Sequence, residues 1–479
     1  MTTPHLSQAA AQRPGAATVP QELAADLMRR VLRNSPALLE GRGADLRRAV
    51  LDVAVQGLAA ADPGEATKRV VSFDEVNDVI TVAGEDYPMH GRGRVLVVGA
   101  GKASYPIAAA LHDVLGSRLA GGVVAVRDPD APDLPNVRVL CADHPLPTER
   151  SVHAAQQILA CVADATESDV VITCFTGGSS ALSSLPPDNV SPADKRRLHQ
   201  QLLSSGLAIN EINAVRKQVS AVKGGRVALA ARPARVINLT VSDVAGSALD
   251  VVTDPTVQDT SSAAKARAVL QQAELWNLVP LSVRQHLEQN LPTPSLVPEP
   301  QTVMLADGAH TVEAMAAAAR GHGYHPVVLE REVEGFADDV GAYLAQRVLD
   351  EAEAQRGPVM VLGCGGEAVV TVTAESGFGQ GGPNQQAALK AAEVLAGHAS
   401  AGVFVDTDGS DGGTPYAGAL VDGETADRAK QQGVDLARSR QAQRSTAACE
   451  QLGVAVQTGH TGTNVNDLFV LLAVPEVVT

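Results

Sequence analysis

Residues 94–115 read RVLVVGAGKASYPIAAALHDVL, and the reading of this stretch decides the fold. The apolar run Arg94–Val98 has strand character and is closed by Gly99-Ala100-Gly101. Ile107, Ala108, Leu111, Val114 and Leu115 then recur on one helical face. Strand, glycine turn and helix in immediate succession are the unit from which helix-covered parallel sheets are built.

The same alternation extends outward in both directions. Upstream, Leu23, Leu27, Val31 and Leu32 give a helical pattern within 21–61. Downstream come a strand at Gly122–Val126, a helix at Ser151–Ala163 and an apolar run at Val170–Phe175 ending in Thr176-Gly177-Gly178-Ser179-Ser180. Ser191-Pro192-Ala193-Asp194 opens a further helix with Ser as cap, Pro at the first position and an acid at the third. Arg235–Val241 is another buried strand, ending at Ser242-Asp243. These elements predict a doubly wound α/β domain over 21–290, with sites at the C-terminal ends of strands. Residues 1–20 lack a hydrophobic leader segment and read as a disordered tail. The Pro-rich stretch 291–300 (LPTPSLVPEP) reads as a linker. Beyond it, strands at Val327–Leu329, Val359–Leu362, Val369–Val372, Gly402–Val405 and Leu468–Val474 alternate with helices near 311–320, 336–354 and 385–396. They predict a smaller α/β domain over 301–479.

Aromatic residues make up 3% of the chain against 45% hydrophobic, so the cores must be aliphatic, as buried parallel strands require. That scarcity also argues against stacking platforms for nucleic acid. Asp plus Glu outnumber Lys plus Arg by 54 to 38, a formal charge of −16. Such a field repels nucleic acid and anionic membrane, so a small anion would need a local cationic pocket. Cys141, Cys161, Cys174, Cys364 and Cys449 form no CxxC pair and read as reduced thiols. With no run near the roughly 18 apolar residues of a membrane helix, a cytoplasmic protein is expected.

Gly99-Ala100-Gly101-Lys102-Ala103-Ser104 is neither a Walker A loop nor a dinucleotide fingerprint, since Ser104 stands where the third glycine belongs. Lys102 decides its reading: a lysine on a first helical turn opposes the helix dipole unless an anion lies there. Gly177, Gly178, Ser179 and Ser180 offer a bulk-free turn with hydroxyls at a second strand end, where a plain turn would need one glycine. His144, in the Asp143–Pro147 turn, could meet a phosphate or carboxylate, or hold the loop. In NEINAVRKQVSAVKGG (210–225), Ile212, Val215, Val219 and Val222 face inward. Asn213, Arg216 and Lys223 would suit a carboxylate or phosphates, although solvated charges are the simpler reading. Two more glycine turns carry Gly365, Gly366 and Glu367, and Gly381, Gly382 and Asn384. Asp406, Asp408 and Asp411 are candidate Mg²⁺ ligands in a loop that is not an EF-hand. Glycine turns at so many strand ends suggest a cleft built for phosphates.

Taken in order, the segments VGAGKAS, ADHPLPTERSV, FTGGSSAL, NEINAVRKQVSAVKGG, LTVSDVAG, GGEAVVTV, GFGQGGPNQQAAL, VDTDGSDGGTPYAGALVD and TGTNVNDL resemble the glycerate 2-kinases of the MOFRL family, also labelled hydroxypyruvate reductases. The resemblance implies a Rossmann-like N-terminal domain, a smaller α/β C-terminal domain and an active site in the cleft between them. It implies ATP with Mg²⁺, D-glycerate phosphorylated on its 2-hydroxyl, and Lys102 as the active-site lysine. Asp243, at a strand end, would orient or deprotonate the acceptor hydroxyl, and the second domain's glycine turns would hold the nucleotide. The expected partners are a small hydroxy acid and a nucleotide, with a homodimer as the candidate assembly. The sequence departs from the family pattern at Ser247, at Thr253-Asp254-Pro255-Thr256, at Pro383 and Gln386 within GQGGPNQQ, and at Thr414-Pro415-Tyr416. An NAD(P)-dependent reductase and a metabolite-binding relative with impaired catalysis are the alternative readings.

Overall fold

The structure is a computed structural model that describes residues 32–89, 91, 93–241, 254–329, 333–370 and 379–475. The tail expected over 1–20, together with Asp243, Ser247, Asp250, Thr253 and Gly377, lies outside them. The described chain divides into two compact units, one of residues 63–241 and 254–305, the other of 32–62 and 306–475.

The first unit opens with an antiparallel meander of β1 (Val71–Asp74), β2 (Val79–Val82) and β3 (Glu85–Pro88). Its main sheet contains β4 (Val95–Ala100), β5 (Leu119–Val126), β6 (Val137–Cys141), β7 (Val170–Phe175), β8 (Arg235–Val241) and β9 (Gln301–Ala306), in the order β6-β5-β4-β7-β8-β9. The β5/β6, β4/β5, β4/β7 and β7/β8 pairs are all parallel, so the parallel α/β class predicted from 94–115 is correct. Every residue of β4 and β7 is buried, which is why these strands read as continuous apolar runs. Leu96, Val98, Val123, Val171 and Phe175 meet Ala154, Ala155, Ile158 and Val162 of the helix Glu149–Val162 in one core. The chain leaves β4 in one direction and returns to its other side at β7. That reversal is where open α/β sheets leave a crevice at the C-terminal strand ends.

A second core in the same unit is purely helical. Helices Pro192–Leu203, Ile209–Gln218, Ala263–Gln272 and Leu281–Glu288 bury Leu198, Leu202, Ile212, Val215, Leu270 and Leu287 together. The amphipathic segment 210–225 is therefore not one helix. It is helical to Gln218, Val219 joins this helical core, and Val222 joins the core under the sheet.

The second unit holds a mixed sheet, in which β10 (His325–Val328), β12 (Val359–Cys364), β17 (Asp467–Ala473), β14 (Ser400–Asp406), β15 (Gly418–Asp422) and β16 (Ala455–Val456) are neighbours in that order. Only β10/β12 is parallel; β17 runs antiparallel to both β12 and β14. A two-stranded pair joins β11 (Gly335–Phe336) to β13 (Ala368–Val369); residues 371 and 372 of the strand expected over 369–372 lie outside the described residues. Phe404 and Phe469 meet edge to face at 5.7 Å in this core, beneath the helices Ala337–Gln355 and Pro383–Val394. The helix Ala44–Ala60, expected in the first domain, packs instead on β17 and the helix Gly308–Gly321. Its Arg47 forms a fully buried ion pair with Asp422 of β15. No local sequence signal reports a partner so distant. Among the described residues, no helix is long and apolar enough to cross a membrane.

Candidate anion site

The glycine turns after β4 and β7 lie side by side at the reversal point and are stitched together. Thr176 N–H donates to the Ala100 carbonyl (3.0 Å), and Lys102 N–H donates to the Gly177 carbonyl (2.9 Å). Ala103 N–H donates to Thr176 Oγ1 (3.1 Å). Gly101 has φ +141°, and a Cβ there would run into Thr176 Oγ1, so only glycine fits.

This stitching corrects the expected role of the first turn. Gly101 N–H goes to the Ala125 carbonyl and Ser104 N–H to that of Gly101, so all four amides from Gly101 to Ser104 are used internally. The Ser104 hydroxyl is buried and donates to the Cys174 carbonyl (2.7 Å). Gly99 belongs to β4 itself, where a Cβ would strike Cys174. Gly99, Gly101 and Ser104 thus form the floor of the site rather than an amide cradle. The helix begins at Ser104 with Ala103 as its cap, so Lys102 stands just before the first helical turn, half-buried. The second turn is the more open one. The amides of Gly177 and Gly178 make no backbone bond among the described residues. The imidazole of His144 stands 3.3 Å from where a Gly178 Cβ would be.

Cations converge on this second turn. Lys223, 2% exposed, donates from Nζ to Ser180 Oγ at 2.6 Å. It is presented by a turn in which Ser220 Oγ accepts the Val222 and Lys223 amides, while Gly224 and Gly225, both at positive φ, donate to the Asp254 carbonyl. Arg226 Nη1 holds that turn through the Lys223 carbonyl (2.7 Å) and the Lys217 carbonyl (3.2 Å). Arg216 touches Asn213 Oδ1 (3.4 Å) and His199 Nε2 (3.5 Å). Its Nε is buried and has no hydrogen-bond partner among the described residues. Lys217 is not part of this group, because it pairs with buried Asp259 at 2.9 Å. The Asp254 carboxylate is turned to Thr256 N–H (2.6 Å), Thr256 Oγ1 (2.6 Å) and Asn238 Nδ2 (3.1 Å).

Burial presses on every cation here, and repulsion from neighbouring cations adds to it at Lys195, Lys223 and His199. Burial, then Arg226 and Arg216, bring Lys195 down to about 7. Burial takes Arg216 down to about 10. Burial, then Arg216, Lys223, Lys195 and His144, take His199 to about 3. Lys223 falls well below its ordinary value through burial, Lys195 and Arg216, with Asp254 opposing. An anion entering this cluster would relieve all of these groups at once.

The sequence reading missed Lys195 and His199. They lie one turn apart on the helix Pro192–Leu203, beside the buried Leu198 and Leu202. Polar residues at the edge of an apolar stripe were the available signal.

The second unit's glycine turns behave differently. The helix Pro383–Val394 begins with Pro383 at its first position, where proline is favoured. Asp411 occupies its N-terminus, accepting Asn384 N–H (3.0 Å), Gln385 N–H (2.8 Å) and Gln385 Nε2 (3.0 Å). A Cβ on Gly382 would collide with that carboxylate. Gly381, Gly382 and Asn384 therefore surround an anion that the chain itself supplies, which corrects their expected role as nucleotide ligands. Asn384 Nδ2 donates to Asp467 Oδ1 (2.6 Å), and Gln386 Nε2 to Asp338 Oδ1 (2.9 Å). Burial raises Asp411 to about 6 and Asp467 to about 7. Gly365 and Gly366 form a turn at positive φ, pinned by Gly365 N–H to the Asp467 carbonyl (3.0 Å) and followed by Glu367. Asp406 Oδ1 accepts Asp408 N–H (2.9 Å) and Asp408 Oδ1 accepts Ser410 N–H (2.8 Å). With Asp411 turned to the helix, the expected metal triad does not form. Among the described residues, no group of three His, Cys, Asp or Glu could hold a metal ion.

The fold is that of an α/β protein whose parallel sheet carries buried, mutually repelling cations beside its reversal point. A model described as "Domain of unknown function (DUF4147)" matches residues 49–288, and the MOFRL family model matches residues 360–467. The glycerate 2-kinase of Pyrococcus horikoshii is 34% identical over 437 residues, covering 89% of this chain and 97% of that one. An Agrobacterium vitis protein with the provisional name hydroxypyruvate reductase is 37% identical over 393 residues, covering 80% and 88%. The crystal structure of the glycerate kinase of Thermotoga maritima superposes with a TM-score of 0.77 at 30% identity, over 90% of this chain and 100% of that one. The chain belongs to the glycerate 2-kinase family.

Proposed function

We propose that the protein transfers the γ-phosphoryl group of ATP to the 2-hydroxyl of D-glycerate, or of a closely related sugar acid, yielding 2-phosphoglycerate or its counterpart. The observation that carries this reading is the Arg216 guanidinium, with a buried Nε lacking a partner among the described residues, inside a cluster whose Lys223 reaches Ser180. A buried cationic group with an unsatisfied donor favours an anion as its partner. Family membership supplies the reaction class.

In this reading Arg216, Asn213 and Lys223 hold the carboxylate or a phosphate, with Gly177, Gly178, Ser179, Ser180 and His144 shaping its seat. Lys102 neutralises charge that develops during transfer, as phosphate-clamping cations do. Asp243 orients the acceptor hydroxyl. The strand order of the first unit, counted from β4 as 3-2-1-4-5-6, supports a Rossmann-like domain. The described residues do not fit a protein-built Mg²⁺ site, and in this reading Mg²⁺ is carried by the nucleotide's phosphates. A reducing cytoplasm suits the free cysteines.

ADP release from ATP with D-glycerate, and product consumption by enolase, test the proposal. No ADP release across hydroxy acids from C3 to C6 would overturn it. So would oxidation of NADH or NADPH by hydroxypyruvate as the dominant reaction.

A further inference from the structure

Lys195 lies on the helix Pro192–Leu203 and is 9% exposed. Its ammonium bonds to two carbonyl oxygens, Leu185 at 3.0 Å and Val219 at 2.8 Å. These mark two arms of the anion site. Leu185 follows the short helix that begins at Ser179, and Val219 caps the C-terminus of the helix that carries Asn213 and Arg216. The Leu185 carbonyl also accepts Ala221 N–H (3.0 Å), in the turn that presents Lys223. Lys195 is thus a strut between the serine turn and both cationic segments. Carbonyls at a helix C-terminus favour a cation, but neither of its hydrogen-bond partners carries a formal charge.

The charged and titratable groups facing Lys195 are Arg216, Arg226, Lys223, His199 and His286. All are basic, and Asp254 acts on Lys223 in the opposite sense. We propose that Lys195 is a positioning residue of the anion site, and that binding of a carboxylate or phosphate is coupled to proton uptake by its neutral amine, which becomes the ammonium. This rests on the anion reading of the site given above. The depressed proton affinity of Lys195, about 7 against an ordinary 10.5, places the coupling near neutral pH. An anion raises that affinity, so binding takes up a proton above about pH 7 and weakens as pH rises, by at most about tenfold per unit for one linked proton.

Calorimetry of sulfate and of D-glycerate binding to the full chain, in buffers of different ionisation heat, reads the proton directly. Neither ligand titrates between about pH 6 and 9. The expected result is buffer-dependent heat equivalent to a substantial fraction of a proton at about pH 8. Lys195→Arg, which keeps the charge at every pH, should abolish that uptake. It should also flatten the alkaline rise in KM for D-glycerate, with less effect on kcat. Buffer-independent heat in the wild-type protein overturns the proposal. So does undiminished uptake in Lys195→Arg, which would assign the proton to Lys223 or a histidine. Should Lys195→Arg misfold, Lys195→Met takes its place with the same expectation for uptake. Uptake with sulfate but no ADP release from any hydroxy acid would support this inference while sinking the kinase reading.

Discussion

The two units solve the same local problem in opposite ways. Each ends apolar strands in glycine turns, and each places a helix just beyond. In the second unit the chain fills the helix N-terminus itself, because Asp411 accepts from Asn384 and Gln385. In the first unit, Lys223, Arg216 and Lys195 crowd the turn and repel one another. One arrangement is complete and serves stability. The other holds buried cations at a cost, and in the proposed reading an anion offsets it. A glycine turn alone does not say which it is; the sign of the surrounding charge does.

The largest effect that can break this comparison is on turnover. Lys102→Ala should lower kcat/KM by about 10³-fold or more, the scale of removing a cation that stabilises charge in phosphoryl transfer. The melting temperature should stay within a few degrees of wild type. Near wild-type ADP release from a well-folded Lys102→Ala protein would remove the first unit's claim to be the functional one.

Asp411→Ala should do the reverse. It strands the amides of Asn384 and Gln385 in a buried place, costing about 2–4 kcal/mol as a lost cap plus unsatisfied buried donors. Chemical denaturation measures this. A loss under about 0.5 kcal/mol, paired with a large rise in KM for ATP, would return Asp411 to the nucleotide site.

The units should also respond to pH with opposite sign. Asp411 and Asp467 titrate near 6 and 7, above the ordinary carboxylate value of 3.8. The folded second unit therefore binds more protons than the unfolded chain in that interval. Its stability is greatest below the ordinary carboxylate range and is lost as pH rises through about 6 and then about 7. Lys195 titrates near 7 against 10.5, so the unfolded chain binds more protons in that window. The first unit should gain stability as pH rises from about 7 towards 10.5. Hydrogen exchange of peptides from 192–223 and 381–411, corrected for intrinsic rates, resolves the two. Parallel pH trends would show that burial does not set these groups' titration.

The sequence carried the strands well, because β4, β7, β14 and β17 are unbroken apolar runs long enough to stand out. It missed β1–β3, β6, β9, β11, β15 and β16, which are short or broken by polar residues, and it assigned the residues of β9 to the second domain although they complete the first unit's sheet. It placed Gly177, Gly178, Ser180, Arg216 and Lys223 as candidates for one kind of site, and the structure brings the second turn, Lys223 and Arg216 into one cluster. It could not see that Asp411 faces a helix N-terminus across 27 positions, or that Arg47 pairs with Asp422 across 375. Such pairings are set by tertiary packing, and periodicity does not encode them. Lys195 and His199 were visible as intrusions on an apolar stripe, but the carbonyls that Lys195 meets and the Arg216 guanidinium beside His199 were not.

The smallest expected effect is the sharpest test of where the site's floor ends. Ser104 occupies the position that a phosphate-cradling loop would turn towards its ligand, yet its hydroxyl is buried and donates to the Cys174 carbonyl at 2.7 Å. Ser104→Ala removes that donor and adds no bulk, leaving a buried carbonyl with one partner fewer. The cost should be about 1 kcal/mol, the net worth of a neutral buried hydrogen bond. Since the hydroxyl faces the strand, KM for ATP and for D-glycerate should stay within about twofold of wild type, a change of under about 0.5 kcal/mol. Denaturant titration and steady-state kinetics on the same preparation give both numbers. A tenfold rise in either KM with stability unchanged would mean that the hydroxyl turns to a ligand, and that the boundary between floor and site lies one residue deeper than the hydrogen bonds place it.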